Sequence, residues 1–77
     1  MFYRITLNMP SHNDSLVHQI LGEHPAPAIA EFMEELADQG YVIVTEYYSN
    51  ADKTVFPKRD VAISFDVVGK VSVDERL

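Results

Sequence analysis

Only one stretch of this chain has the period of a helix, and it lies between segments that have the two-residue period of β-strands. The stretch is "HPAPAIAEFMEELADQG", residues 24–40. Proline suits the first turn of a helix, and glycine suits the left-handed position just past the end. The pattern therefore predicts a helix from about Pro25 to Gln39, closed by Gly40.

The predicted helix has an apolar face and an acidic face. Its apolar side chains recur at the spacing of one helical stripe: Ile29, Phe32, Met33 and Leu36. Its acidic side chains repeat that spacing on the opposite side: Glu31, Glu34, Glu35 and Asp38. We expect the apolar stripe to pack on a sheet and the acidic stripe to face solvent.

The remaining segments are patterned as strands. Residues 2–9 alternate, which places Tyr3, Ile5, Leu7 and Met9 on one face. The turn residues "PSHND" separate them from "SLVHQIL", so an antiparallel hairpin is predicted. Residues 41–48, "YVIVTEYY", are rich in β-branched and aromatic side chains and predict a further strand.

The last third of the chain is less regular. "VFPKRD" is short and broken by Pro57, whereas "VAISFDV" alternates with these side chains on one side: Val61, Ile63, Phe65 and Val67. Gly69 then interrupts the pattern, so "KVSV" is either a bulged continuation or a short extra strand. Residues 73–77 are expected to fray.

The order β-β-α-β-(β)-β favours a single α+β domain over residues 1–77, with two layers. One helix would pack on one face of an antiparallel sheet of four to five strands. The second face would then carry exposed apolar and aromatic side chains, which indicates a homodimer, face to face or edge to edge. The side chains predicted at the dimer interface are Phe2, Tyr47 and Tyr48. Tyrosines on a strand also serve as core or edge packing, and the inward face of residues 41–48 stays open.

Charge and composition exclude several classes of protein. The net charge is −6 and the six lysines and arginines are scattered, with Lys58 and Arg59 the only adjacent pair, so direct nucleic-acid binding is not expected. There is no cysteine, which excludes disulfides and thiolate metal sites. The N-terminus alternates where a signal peptide would be continuously apolar, and no run reaches membrane-spanning length, so a cytoplasmic protein is expected.

The three histidines stand six residues apart, at His12, His18 and His24. On a strand, His18 and His24 would be separated by roughly 20 Å, so no metal site is predicted. His12 is read as a turn residue, and His24 as a residue at the helix start that helps to cap it. A small-ligand or metal binder that uses His18 remains an alternative, as does a pH-sensitive dimer contact between two copies of His18.

No enzymatic motif is present. The three glycines are far apart, so no phosphate-binding loop can be drawn, and the serines lie in no nucleophile motif. The helix carboxylates are solvated and make poor acids at neutral pH. We therefore predict no catalytic residues, no cofactor and no metal.

The acidic stripe is the feature that most favours a function. Like charges at these spacings destabilise a helix by about 0.2–0.5 kcal/mol per pair. No lysine or arginine occurs between residues 5 and 52 to relieve them. The predicted partner-binding residues are therefore Glu31, Glu34, Glu35 and Asp38, which would dock on a basic protein surface. The alternative is that they only keep a small protein soluble.

The run "YRITLNMPSHNDSLVHQILGEHPA" followed by "FMEELADQGYVIVTEYY" resembles small proteins encoded in bacteriophage and prophage genomes. The resemblance implies an acidic protein that binds and modulates a host protein, and it carries over no functional residue. The leading hypothesis is a non-enzymatic, dimeric protein-interaction module with a basic partner. A structural protein that assembles through its sheet is the alternative from a different class.

Overall fold

The computed structural model describes residues 1–8, 17–49 and 54–75. Five strands and one helix follow each other in the chain: β1 Phe2–Asn8, β2 Val17–Glu23, α1 Ile29–Gln39, β3 Tyr41–Ser49, β4 Val55–Ser64 and β5 Val68–Val73. A 3₁₀ turn, Phe65–Val67, joins β4 to β5. The predicted α+β class is confirmed, since α1 packs on one side of a five-stranded sheet whose neighbouring strands are all antiparallel.

The sheet has the strand order β4-β3-β2-β1-β5, so its two outer strands are consecutive in the chain. In a flat sheet, four strand spacings would separate them by about 19 Å. The chain from Ser64 to Val68 has four Cα steps and reaches at most about 15 Å, and the 3₁₀ turn shortens it further. The sheet must therefore curl, and we call its concave side the inner face and its convex side the outer face.

The core lies between the inner face and α1. Its fully buried large side chains come from β1, β3 and the helix: Tyr3, Ile5, Phe32, Leu36, Val42 and Val44. The alternation predicted for β1 is confirmed, because Tyr3 and Ile5 are buried while their neighbours are not. In β3, Val42 and Val44 point inward and Tyr41 and Ile43 point outward. This settles which face of residues 41–48 is buried, a point that the sequence left open.

The helix begins later than predicted. Residues 25–28 are irregular and α1 starts at Ile29, because a residue that precedes proline avoids helical backbone angles. Pro25 and Pro27 therefore keep the chain extended instead of opening the helix. The predicted end is confirmed: Gly40 has a φ of 81° and donates its N–H to the Leu36 carbonyl at 2.9 Å. Ile29 is more exposed than the predicted stripe required, and Met33 is half-buried.

β4 corrects two predictions. It runs through Pro57 without a break, because β4 is an outer strand and the sheet shifts register opposite this proline, between Glu46 and Tyr47. Phe65 does not extend the inward-facing row, since the strand ends at Ser64. Phe65 is instead 52% exposed and donates its N–H to the Gly40 carbonyl at 2.8 Å.

β5 is a separate strand paired with β1, and the sheet continues into the predicted tail. Val73 lies in β5, the Asp74 N–H donates to the Phe2 carbonyl at 2.8 Å, and the Asp74 carboxylate is 2.7 Å from Arg4 Nη2. The expectation that residues 73 and 74 fray is therefore wrong. Residues 76 and 77 lie outside the described part of the chain. Within that part, α1 is the only α-helix and is too short to cross a membrane.

Candidate functional site

The acidic stripe lies on the outer side of α1. Glu31, Glu34 and Asp38 are exposed, and no described lysine or arginine lies within ion-pair distance of them. Glu35 differs, because it is half-buried at the flank of the helix and contacts His24. Three of the four predicted partner-binding carboxylates therefore form a surface of uncompensated charge, and the fourth is tied to the fold.

His24 is buried, with 2% of it exposed, which is less than for any other polar or charged side chain in the part of the chain that the structure describes. Its Nδ1 accepts the Ala26 N–H at 3.0 Å, so the neutral ring carries its proton on Nε2. Nε2 then donates to the Glu35 carboxylate at 3.0 Å. The ring also packs edge-on against Phe32, with centroids 4.8 Å apart. His24 does not cap the helix as predicted but holds the segment before α1 against the side of the helix.

Tyr3, on β1, also holds the segment that precedes α1. Its hydroxyl donates to the Ala26 carbonyl at 2.7 Å, so Ala26 is bonded through both its N–H and its C=O. Burial raises the pKa of the Tyr3 phenol, and the negative charge of Glu31 raises it further. The phenol stays protonated and serves as a structural donor, so the segment that leads into α1 has a fixed position on the sheet.

The surface of α1 suits a protein better than a small molecule. A depression of about 350 Å³ is lined by five residues, all of them on α1: Glu31, Glu34, Glu35, Asp38 and Gln39. A depression on one helix has no opposing wall to enclose a ligand. Its carboxylates are open to any partner that supplies the second wall.

Exposed aromatic and aliphatic side chains adjoin the C-terminal end of α1. Gly40 is followed directly by Tyr41. The Gly40 carbonyl accepts the Phe65 N–H, and this bond holds Phe65 near the end of α1. Tyr41 is 45% exposed and Ile43, two residues further on the same face of β3, is 56% exposed. These apolar side chains lie on the sheet beyond the end of α1, and the sequence pattern could not reveal the group because Phe65 comes from another part of the chain.

The three residues predicted at a dimer interface do not share one surface. Phe2 and Tyr47 are in contact on the outer face, with ring centroids 5.0 Å apart at 73°. The Tyr47 hydroxyl donates to Glu23 at 3.2 Å; burial raises its pKa, as do this bond and the charges of Glu23 and Asp60. Tyr48 projects from the opposite face, as successive strand residues do, and Lys58 Nζ lies 5.0 Å from its ring centroid.

The histidines are also separated. His18 is exposed on β2 and lines a cleft of the inner face, whereas His24 is buried. His12 lies outside the described residues. Among the described residues, no group of three or more potential ligands could hold a metal ion.

Comparisons with protein families, with curated proteins and with solved structures find no match to this chain.

Proposed function

We propose that this protein is a non-enzymatic, cytoplasmic protein-interaction module whose acidic helix face binds a basic, arginine-containing surface of a partner protein. The observation that carries the proposal is the uncompensated charge of Glu31, Glu34 and Asp38, which are exposed and have no cationic partner among the described residues. Charge of one sign on one face speeds association with a surface of the opposite sign.

Carboxylates favour arginine over lysine in the partner. A guanidinium group forms paired hydrogen bonds with a carboxylate, whereas a lysine ammonium acts as a point charge. The exposed carboxylates Glu31, Glu34 and Asp38 therefore suit the guanidinium groups of arginine.

The fixed position of α1 supports the same function. His24, Tyr3 and Ala26 hold the segment before the helix, so the backbone of α1 needs little reordering when a partner binds. A preorganised surface loses less entropy on association. The resemblance to small phage and prophage proteins supports a role for such a surface in modulating a host factor.

The proposal is tested by titrating the protein with octa-arginine and octa-lysine peptides and following backbone amide signals by NMR. We expect saturable shifts on α1, tighter binding of octa-arginine, and a loss of affinity with rising salt. The double variant Glu31→Lys/Glu34→Lys should bind octa-arginine about tenfold more weakly or worse. Shifts that avoid α1 would contradict the proposal.

The matched control is Asp60→Lys/Glu75→Lys, which changes the net charge equally but leaves α1 intact. Both control residues are exposed and lie outside the helix. Octa-arginine should bind this control within about threefold of the wild type. An equal loss in both double variants would show that only net charge matters, and the acidic helix face would then have no special role.

Self-association is the second candidate function. The outer face carries Tyr41 and Ile43, both about half exposed, and Ala62 pairs with Ile43 in the sheet. A second copy could cover these side chains around a two-fold axis. This surface would replace the dimer interface predicted from Phe2, Tyr47 and Tyr48, since Tyr48 lies on the inner face of the sheet.

A further inference from the structure

A cleft of about 260 Å³ opens on the inner face of the curled sheet. Its lining comes from β1, β2, β3, β4 and the 3₁₀ turn, and no residue of α1 contributes. Five aliphatic side chains form most of its wall: Leu7, Ile20, Val61, Ile63 and Val67. The cleft is therefore separate from the acidic helix face, and its wall suits an apolar ligand.

Polar side chains also line this cleft. Glu46 and Arg59 line it together with His18. Glu46 is only 8% exposed, and its carboxylate oxygens lie 3.4 Å from Arg59 Nε and 3.6 Å from Lys58 Nζ. Two cations meet one anion there, so the cluster carries one net positive charge while the rest of the protein is acidic.

Among the described residues, most hydrogen-bond donors of the Arg59 guanidinium have no acceptor. Only its Nε contacts Glu46, at the long distance of 3.4 Å, and its side chain is 64% exposed. Among the described residues, the two terminal guanidinium nitrogens have no bonded partner. These nitrogens form the planar fork that matches a carboxylate. His18, exposed on the same lining, offers a further ring nitrogen.

We propose that this cleft binds a small apolar molecule that carries one carboxylate. The net charge of the Lys58, Arg59 and Glu46 cluster calls for a monoanion. The planar fork of Arg59 selects a carboxylate, and the aliphatic wall takes the tail. A volume of about 260 Å³ holds roughly nine groups the size of a water molecule, at about 30 Å³ each. A carboxylic acid of about eight carbons fits this space.

The test is an NMR titration of the whole protein with three probes that share an eight-carbon tail: octanoate, octan-1-ol and octylamine. Octanoate should give saturable shifts at Ile20, Val61 and Val67 and bind about tenfold more tightly than octanol. Octylamine should bind more weakly than octanol, because the cluster repels its charge. Tighter binding of the amine, or shifts centred on α1, would overturn the proposal.

Two pairs of variants separate the polar and apolar parts of the site. Arg59→Gln should remove the preference for octanoate over octanol, whereas Lys70→Gln, an exposed cation outside the lining, should preserve it. Val61→Phe should fill the cleft and abolish binding of both probes. Val73→Phe, at another half-buried valine outside the lining, should not.

Arg59→Gln alters an exposed side chain, so it tests the proposal even where Val61→Phe disturbs folding. A preference for octanoate that survives Arg59→Gln would overturn the assignment of the carboxylate to Arg59. The acidic helix face plays no part in these titrations, so this result is independent of the proposed function.

Discussion

His24 Nε2 donates to Glu35 Oε2 across 3.0 Å, and this bond joins the segment before α1 to the helix that carries the acidic face. The buried ring fills space beside Phe32 and accepts the Ala26 N–H. His24 therefore contributes volume, an acceptor and a donor at once.

Replacing His24 by alanine should destabilise the fold by about 2–4 kcal/mol, because the change leaves a cavity and an unpaired buried N–H. The measurement is urea unfolding followed by circular dichroism. His18→Ala is the matched control: that side chain is exposed, and its loss should cost about 0.5 kcal/mol or less. Equal losses in the two variants would refute the structural role of His24.

Tyr3→Phe should lower the free energy of unfolding by about 1 kcal/mol near neutral pH, because the Ala26 carbonyl loses its hydrogen-bond donor. The pH dependence follows from the pKa of Tyr3, which is raised above the ordinary 10.0 by burial and then by Glu31. The folded state holds this proton more tightly than the unfolded chain does. The resulting stability is fully present below the unfolded pKa and is lost as the pH rises through the folded one.

Unfolding at about pH 8 and at about pH 11, on either side of the ordinary tyrosine pKa, measures this effect. The wild type should lose more stability between the two than Tyr3→Phe does. Tyr41→Phe controls for the loss of a hydroxyl, since Tyr41 is exposed and its hydroxyl has no hydrogen-bond partner among the described residues. Identical pH dependence in wild type and Tyr3→Phe would contradict the argument.

Gly40→Ala should destabilise the protein by about 1–2 kcal/mol, because the φ of 81° strains an L side chain. Crowding does not contribute, since no atom lies within 4 Å of an added Cβ. Gly40→Asn should recover part of the loss, because asparagine tolerates this conformation. Both are measured by urea unfolding, and asparagine no better than alanine would indicate a cause other than backbone strain.

The features that sequence predicted correctly are local. Gly40 ends α1 because one residue needs a left-handed backbone, and β1 alternates because Tyr3 and Ile5 point the same way on any strand. The helix start was wrong because two local rules compete at Pro25 and Pro27. Proline suits a first turn, yet it also excludes helical angles in the residue before it.

The features that sequence missed depend on tertiary structure. Pro57 lies within a strand only because β4 is at the edge of the sheet. The His24 and Glu35 contact depends on the path of residues 24–28, which no periodicity encodes. The cleft near Arg59 exists because the sheet curls, and the curl follows from which strands are neighbours. A pattern read along one segment contains none of this information.

Ile43→Lys tests self-association through the outer face. If two copies meet there, the wild type should sediment as a dimer at high concentration and the variant as a monomer, because a buried unpaired lysine is costly. Ile29→Lys, at an exposed position on α1, should remain dimeric. A wild type that is monomeric at every concentration would rule out the second candidate function.

Asp38→Lys tests whether the acidic face is kept for binding at the expense of stability. Asp38 is near the C-terminal end of α1, where the helix dipole disfavours negative charge, and the last turn has no basic residue. Lysine at this position would face Glu34 and Glu35 at the favourable spacings and remove two repulsive pairs. The variant should be more stable by about 0.5–1.5 kcal/mol at low salt.

This gain should shrink at about 1 M salt, where the screening length falls to about 3 Å. Glu75→Lys makes the same charge change at an exposed residue outside the helix and should alter stability by about 0.5 kcal/mol or less. The same Asp38→Lys variant should bind octa-arginine more weakly than Glu75→Lys does. If Asp38→Lys both stabilises the protein and weakens the binding of octa-arginine, the carboxylates of α1 serve binding and not stability. If Asp38→Lys is stabilised and binds octa-arginine unchanged, the charge serves solubility alone.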